Sequence, residues 1–257
     1  MSLRFSVVDF LNARPLIWGL LENTPPGVEV SRDLPSVCAD KLASGEADVG
    51  LIPSIEYQRI PDLRVVRGLG IAAASEVRSV LLVSDVSREK IHSIALDPAS
   101  RTSAALTLLL LKRQYRIEPI QRDSGAGADA RLVIGDPALK TRLNGHVVLD
   151  LAAEWRAFSG HPFVFAFWAI RPGVDADGVE RIVRESHAAA RREFPRLVEK
   201  EAVESGLSEA VIEDYLRHSL HFELDAGDVE GLELFYQLAA EDGLIPAARP
   251  IEFARGF

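Results

Sequence analysis

Short apolar runs alternate with stretches of helical character along the first two-thirds of the chain, and this alternation restricts the folds that the chain can adopt. The apolar runs are rich in branched or aromatic residues and lie between turn formers, which predicts strands at 5–8, 49–52, 80–83, 94–96, 132–134 and 163–170. Helical spacing or length is found between them, at 15–22, 37–44, 102–115, 138–143 and 151–158. Strands that alternate with helices predict α/β architecture with mainly parallel sheets flanked by helices.

The last third of the chain has a helical sequence pattern. No strand-like run follows Arg171-Pro172-Gly173, and three helical stretches extend to residue 244. The first of them, at 179–201, contains Pro195, which should kink or divide it. The other two start near Ser208 and Asp228, which are good N-cap residues. We expect this helical tail to pack on one sheet.

The length of 257 residues suits either one large domain or two lobes with a cleft between them. The chain has candidate hinges at 83–87 and at 169–173, where it would leave and re-enter a first lobe. We therefore expect lobe I to comprise 1–84 and 172–257, and lobe II to be an insertion of 85–171.

The charge balance argues against a nucleic-acid partner. Acidic residues exceed basic ones by 38 to 29, the net charge is −9, and no cluster of Lys and Arg is interleaved with aromatic residues. No apolar run reaches the roughly 18 residues that a membrane span requires. Residues 1–10 lack the basic segment, apolar stretch and cleavage site of an export signal, so we expect a cytoplasmic protein without a membrane partner.

Cofactor motifs are weak. Cys38 is the single cysteine, so the chain has no internal disulfide and no thiolate metal site. His218 and His221 have a possible metal spacing, with Glu223 nearby, but no third ligand is apparent in the sequence, and we predict no metal site. The stretch 68–73 (Gly-Leu-Gly-Ile-Ala-Ala) matches a loose dinucleotide fingerprint, but a strand pattern follows it instead of a long helix.

Four junctions share one design, in which an apolar run leads into a polar residue where a helix begins. They are 10–15 (Phe-Leu-Asn-Ala-Arg-Pro), 51–54 (Leu-Ile-Pro-Ser), 96–103 (Leu-Asp-Pro-Ala-Ser-Arg-Thr-Ser) and 134–137 (Ile-Gly-Asp-Pro). In open parallel sheets, ligands bind beyond the carboxyl ends of the strands, where helix N-termini present unpaired N–H groups. We therefore expect the four junctions to converge on one cleft.

The third junction indicates an anionic ligand. Ser100, Thr102 and Ser103 supply three hydroxyls, and Arg101 supplies a cation beside free backbone amides, which suits a carboxylate or a phosphate. Taken singly, these residue types are also ordinary N-caps. Asp136, in the fourth junction, fits both a general base and an N-cap.

Several segments, in order, resemble those of the chorismate dehydratase family of the futalosine route to menaquinone, which has the fold of type II periplasmic binding proteins. The resemblance rests on 9–16 (Asp-Phe-Leu-Asn-Ala-Arg-Pro-Leu), 34–36 (Leu-Pro-Ser), 42–57, 77–80, 100–103, 134–139 and 154–155. The segment with Asn12, Pro15 and Leu16 points to the dehydratase and away from the dihydroxynaphthoate synthase of the same pathway. Phe10 and Ala13 stand where the family commonly has Tyr and Thr.

The resemblance implies a carbon–oxygen lyase that removes water from chorismate to give 3-(1-carboxyvinyloxy)benzoate. A proton leaves C3, hydroxide leaves C4 and the ring becomes aromatic, so the reaction calls for orientation and proton management and for no metal or organic cofactor. Asn12 is expected to make a hydrogen bond at the reacting end of the substrate. The predicted substrate-binding residues are Ser36, Ser54, Ser79, Ser100, Arg101, Thr102 and Ser103, of which Thr102, Ser103 and Ser79 would hold one carboxylate.

The base stays open between Asp136 and the substrate's own enolpyruvyl carboxylate. We favour the substrate, because an anionic base beside a dianion costs electrostatic energy. Two other functions compete with the dehydratase: an enzyme similar to 1,4-dihydroxy-6-naphthoate synthase, which should have a catalytic His near the cleft, and a small-anion binding protein without catalysis. The expected partner is a small dicarboxylate, and the expected oligomeric state is a monomer or a homodimer.

Overall fold

The structure, a computed structural model, describes residues 2–123, 127–141 and 143–254. In chain order the strands are β1 (Leu3–Val8), β2 (Val28–Asp33), β3 (Val49–Pro53), β4 (Arg64–Ala73), β5 (Val80–Ser84), β6 (Ser93–Ala95), β7 (Ile120–Arg122), β8 (Ala130–Ile134), β9 (Val147–Asp150), β10 (Phe163–Ile170) and β11 (His221–Glu223). They form a six-stranded sheet, β11-β4-β10-β3-β1-β2, and a five-stranded sheet, β7-β6-β8-β5-β9.

Helices flank both sheets. They are α1 (Arg14–Glu22), α2 (Pro35–Ser44), α3 (Arg101–Arg113), α4 (Asp136–Lys140), α5 (Leu151–Ser159), α6 (Ala176–Arg192), α7 (Phe194–Ser205), α8 (Glu209–Asp214) and α9 (Ala226–Glu241). Short 3-10 helices at Leu11–Ala13 and Ser54–Gln58 directly precede α1 and follow β3. Within the described residues, no helix is both long and apolar enough to cross a bilayer.

The α/β architecture is as expected, but the sheets are mixed instead of mainly parallel. In the first sheet β1 pairs in parallel with β2 and β3, whereas β10 lies antiparallel to both β3 and β4. In the second sheet β6 pairs in parallel with β7 and β8, whereas β5 lies antiparallel to β8 and β9. These two antiparallel strands follow the crossings between the sheets: β5 is the first strand after the chain passes into the second sheet, and β10 is the first strand after it returns to the first sheet.

The crossings between the sheets therefore differ from the expected positions. Strand β5 lies in the second sheet and β10 in the first, so the chain crosses between 73 and 80 and again between 150 and 163. The expected boundaries, after 84 and after 171, fall at the far ends of these two strands. An apolar run shows that a strand forms, but it does not show which sheet the strand joins.

Both crossings carry partly buried polar contacts. The Asp150 carboxylate accepts hydrogen bonds from the backbone N–H groups of Val77 and Arg78 and also caps α5 through Ala152 and Ala153. At the second crossing, Trp155 donates its indole N–H to the Pro162 carbonyl at 3.0 Å.

The helical tail packs on the first sheet and differs from its expected form in one respect. Pro195 lies in the first turn of α7, so it divides the first predicted stretch at Glu193, as expected. The short strand β11 was not expected in the tail and extends the first sheet beside β4. The stretch 68–73, with its loose dinucleotide fingerprint, lies inside β4 and forms no phosphate-binding turn.

Candidate active site

A small cavity lies between the two sheets, with about 50 Å³ open to water-sized molecules. This space holds a few water molecules. All four junctions contribute to its walls, together with residues from four strands and Pro35 of α2. The lining residues are Val8, Phe10, Asn12, Pro35, Pro53, Ile71, Val80, Ser100, Thr102, Ser103, Ile134, Gly135, Phe165 and Ala166.

Strand pairing explains why the junctions meet. β1 and β3 are parallel neighbours in the first sheet, so their carboxyl ends, which lead to Asn12 and Pro53, lie at the same edge. β6 and β8 are parallel neighbours in the second sheet, so Ser100 and Gly135 follow strands that end at one edge. The cavity forms where these two edges face each other, as the rule for ligand sites in open sheets predicts.

Asn12 contributes an unsatisfied polar group to the cavity. It is the middle residue of the 3-10 helix Leu11–Ala13, which begins where β1 ends. Its side-chain oxygen is buried and has no hydrogen-bond partner among the described residues. Because burying a polar atom without a partner costs free energy, such an atom is a good candidate for a contact with a ligand.

The N-terminus of α3 faces the same cavity. The helix has no side-chain N-cap, so the backbone N–H groups of its first turn are available to a ligand. The Ser100 hydroxyl donates to the Ser103 hydroxyl at 2.7 Å. Thr102 instead accepts a hydrogen bond from the Ile55 backbone N–H at 3.1 Å, which links the two sheets. Together with the helix dipole, these groups form a site that favours an anion.

Three serines that we predicted as substrate contacts are not among the lining residues. The backbone N–H of Ser36 donates to the Ala99 carbonyl, and the Ser54 hydroxyl donates to the Val164 carbonyl at 2.8 Å. Ser79 accepts a hydrogen bond from the hydroxyl of Tyr215 at 2.6 Å. Burial raises the pKa of Tyr215, so this phenol remains protonated and is a stable donor.

Arg101 is not among the lining residues either, and its guanidinium has carboxylate partners elsewhere. It binds the Asp40 carboxylate of α2 through two nitrogens, at 2.8 and 3.0 Å, and the buried Glu56 carboxylate at 2.9 Å. The hydrogen bonds that Arg101 donates to Asp40 help to raise the pKa of Arg101. Arg101 therefore joins the second sheet's α3 to the first sheet's side of the cleft.

Asp136 contacts the first sheet as well. Its Oδ1 accepts a hydrogen bond from the backbone N–H of Leu11 at 3.0 Å. Asp136 is the first residue of α4, but its side chain is not the N-cap of that helix, and it is not among the lining residues of the cavity. Of the two roles considered from the sequence, the N-cap is therefore excluded.

Two aromatic side chains belong to the cavity although the sequence did not single them out as site residues. Phe165 lies in β10, inside an aromatic run whose sequence is typical of a buried core strand. Phe10 directly precedes the 3-10 helix Leu11–Ala13. The Phe10 ring packs on Gly135, where an added Cβ would lie 3.2 Å from ring carbons. Gly135 has φ 65° and ψ −149°, a conformation that is essentially restricted to glycine. Phe10 and Gly135 follow strands of different sheets, so their close approach exists only when the two sides of the cleft are together.

None of the lining residues among those described carries a carboxylate, imidazole, amine or thiol. The two histidines with possible metal spacing have separate partners, since His218 bonds Asp214 and His221 bonds Asp228. Across the described ranges, no three His, Cys, Asp or Glu side chains are grouped so that they could hold a metal ion. Burial raises the pKa of Cys38 to about 12, so this thiol is not a nucleophile at neutral pH.

The sequence is similar to one family of proteins and to two curated relatives. Residues 3–241 match the family described as menaquinone biosynthesis. A chorismate dehydratase of Thermus thermophilus is 28% identical over 233 residues, covering 81% of this chain and 86% of that protein. A chorismate dehydratase of Campylobacter jejuni is 33% identical over 168 residues, covering 63% of this chain and 65% of that protein.

Solved structures confirm the fold. A protein of Archaeoglobus fulgidus superposes with a TM-score of 0.77 at 19% identity and covers 95% of this chain and 98% of its own. The periplasmic aliphatic sulphonate binding protein of Escherichia coli has a TM-score of 0.63 at 19% identity, with 100% and 94% coverage. The fold is therefore the two-lobed one of type II periplasmic binding proteins. The family match covers residues 3–241, which is most of the chain, so this chain belongs to the menaquinone biosynthesis family.

Proposed function

We propose that this protein is a chorismate dehydratase, a hydro-lyase that converts chorismate to 3-(1-carboxyvinyloxy)benzoate for menaquinone biosynthesis by the futalosine route. Family membership and two relatives named chorismate dehydratase support the proposal. The structural observation that carries it is the cavity itself, which is lined both by Asn12, whose buried amide oxygen has no partner among the described residues, and by the uncapped N-terminus of α3.

The start of α3 suits one carboxylate of the substrate. First-turn N–H groups can donate to it, as can the hydroxyl of Ser103, which accepts from Ser100 and keeps its own hydrogen, and the helix dipole favours its charge. This local site explains how a chain with a net charge of −9 can bind a dianion. The rings of Phe10 and Phe165 supply apolar surface for the six-membered ring of the substrate.

The absence of titratable side chains among the described lining residues favours a base supplied by the substrate. In this mechanism the enolpyruvyl carboxylate takes the proton from C3, the electron pair left on C3 forms the new ring double bond, and hydroxide leaves C4 and is protonated to water. Aromatisation drives the elimination. The Asn12 amide makes a hydrogen bond at the reacting end and so stabilises charge that develops in the transition state.

Substrate entry requires the two sheets to separate. The cavity has room for only a few water molecules, which is too little for a ring with two carboxylates. We propose that lobe I, built on the first sheet, and lobe II, built on the second, close on the substrate. We also propose, from the sequence, a cytoplasmic location and a monomeric or homodimeric state.

The direct test is to incubate the purified protein with chorismate and to follow loss of the substrate and formation of the aromatic enol ether by chromatography and ultraviolet absorbance. We expect turnover without an added cofactor. Binding of chorismate without turnover would favour an anion-binding protein. Activity on a bulkier cyclic substrate, with chorismate untouched, would favour the dihydroxynaphthoate synthase alternative, although the described lining residues include no histidine.

A further inference from the structure

We propose that Asp136 is a positioning residue, which holds the Asn12 segment in its catalytic geometry when the lobes meet. The inference rests on the proposed function, since it assigns a role within that reaction. Asp136 and Leu11 lie 125 positions apart in the sequence and on opposite sides of the cleft, so their hydrogen bond can form only when the cleft is closed.

The Leu11 N–H needs a partner from outside its own helix. Leu11 is the first residue of a single 3-10 turn, and Phe10, at the N-cap position, makes no side-chain capping bond. The first N–H groups of a helix have no acceptor within it, and Leu11 is fully buried, which removes water as an alternative. The Asp136 carboxylate of the second lobe supplies the missing acceptor at 3.0 Å.

A second contact between the same two segments helps to hold the backbone of this turn against the second lobe. Phe10 rests on Gly135, the neighbour of Asp136, so residues 10–11 meet residues 135–136 through one apolar and one polar contact. Asn12 follows immediately and lines the cavity, and its buried amide oxygen has no partner among the described residues. Because the turn is short, a shift at Leu11 moves Asn12 directly, and small misplacements of a catalytic group have large effects on rate.

The other end of the Asn12 segment is held within the first lobe and does not depend on closure. Buried Arg14 binds Glu201 at 2.7 Å and Asp9 at 2.8 Å. The hydrogen bonds that Arg14 and Arg32 donate lower the pKa of Asp9, although its partial burial acts in the opposite direction, so Asp9 keeps its charge at neutral pH. Closure therefore adds the hydrogen bond from the Leu11 N–H to the Asp136 carboxylate, at the N-terminal end of the turn.

Conservative substitution separates positioning from proton transfer. Asp136→Asn keeps an oxygen that can accept the Leu11 N–H but removes the basic carboxylate, whereas Asp136→Ala removes both. We expect kcat/KM of Asp136→Ala to fall about tenfold or more, and Asp136→Asn to recover most of that loss. Asp85→Ala, an exposed carboxylate on the second lobe, is the matched control. An Asp136→Asn variant as inactive as Asp136→Ala would overturn the inference and support a catalytic base.

A double-mutant cycle with Asn12→Ala tests whether Asp136 acts through Asn12. If it does, Asp136→Ala should have little further effect on kcat in the Asn12→Ala background. Full additivity would overturn the inference. Hydrogen–deuterium exchange of peptides that contain Leu11 adds a readout that does not need turnover: exchange should be faster in Asp136→Ala and unchanged in Asp136→Asn. Absence of chorismate turnover in the wild type would instead overturn the proposed function, while the exchange result would still report on the contact.

Discussion

At the scale of single residues, Asn12 is the clearest candidate for catalysis. Its residue type suits hydrogen bonding to a substrate that carries carboxylates and a departing hydroxyl, and its buried oxygen has no partner among the described residues. An amide does not titrate near neutral pH, so Asn12 can stabilise charge but cannot take a proton. Its contribution should therefore appear in the rate of the chemical step.

We predict that Asn12→Ala lowers kcat about a hundredfold or more, because removal of one oxyanion-type hydrogen bond has an effect of that size. Steady-state kinetics with chorismate measure it. Asn23→Ala, an exposed asparagine at the end of α1, serves as the control and should retain the wild-type rate. A near-normal kcat for Asn12→Ala would remove Asn12 from the mechanism.

Gly135 is the second residue with a specific requirement. Its conformation is essentially restricted to glycine, and a Cβ would press on the Phe10 ring at 3.2 Å. We predict that Gly135→Ala destabilises the folded protein by about 1–3 kcal/mol and raises KM, because the added Cβ would press on Phe10 when the lobes are closed. Gly160→Ala is the comparison, since Gly160 also has positive φ but no atoms lie near its added Cβ. Equal KM values for the two variants would contradict a role of the Phe10 contact in closure.

At the scale of elements, α3 does most to join the lobes. Its N-terminus lines the cavity, and its C-terminus is ion-paired with the end of α9 through Arg113 and Lys112, which both bind Asp242. Asp242 is partly desolvated, which alone would raise the pKa, but hydrogen bonds from Arg113 and Lys112 lower it below the ordinary value of 3.8. A depressed carboxyl pKa stabilises the folded state above the unfolded value, and this contribution is lost as the pH falls through the folded value.

We predict that Asp242→Asn lowers the free energy of unfolding by about 1–2 kcal/mol at pH 7, and that the difference from the wild type shrinks towards pH 3. Urea unfolding at both pH values measures it. Glu230→Gln, on an exposed position of α9, is the control. The ion pairs would have no such role if the wild type and Asp242→Asn differed equally at pH 7 and pH 3.

At the scale of the whole molecule, function requires two lobes that close. Arg101 makes ionic contacts between the lobes, because it binds Asp40 and Glu56 from the opposite lobe. The pair with Asp40 is largely exposed, whereas Glu56 is buried, so the cluster as a whole should contribute about 1 kcal/mol to closure.

We predict that Arg101→Gln increases the radius of gyration of the free protein in small-angle X-ray scattering and raises KM about fivefold, with kcat close to the wild-type value. The scattering change identifies a closure contact, since the loss of a substrate ligand would raise KM without altering the free protein. Arg131→Gln is the control, because Arg131 pairs with Asp85 within the second lobe. An unchanged radius of gyration for Arg101→Gln would contradict the closure role.

The sequence by itself determined the α/β class, the four junctions between strands and helices, and the family, because these depend on neighbouring residues and on ordered motifs. The convergence of the junctions also followed from a general rule about strand ends. It did not determine that β5 and β10 exchange sheets, since strand propensity carries no information about pairing partners.

Only the tertiary structure decided which polar side chains of the junctions face the cavity. Asn12, Ser100, Thr102 and Ser103 do so, whereas Arg101 and Asp136 bond groups that lie 61 and 125 positions away in the chain. Residue type shows that a carboxylate or a guanidinium can bind a partner. Which partner it binds depends on distances between segments that come together only when the chain is folded and the lobes have closed.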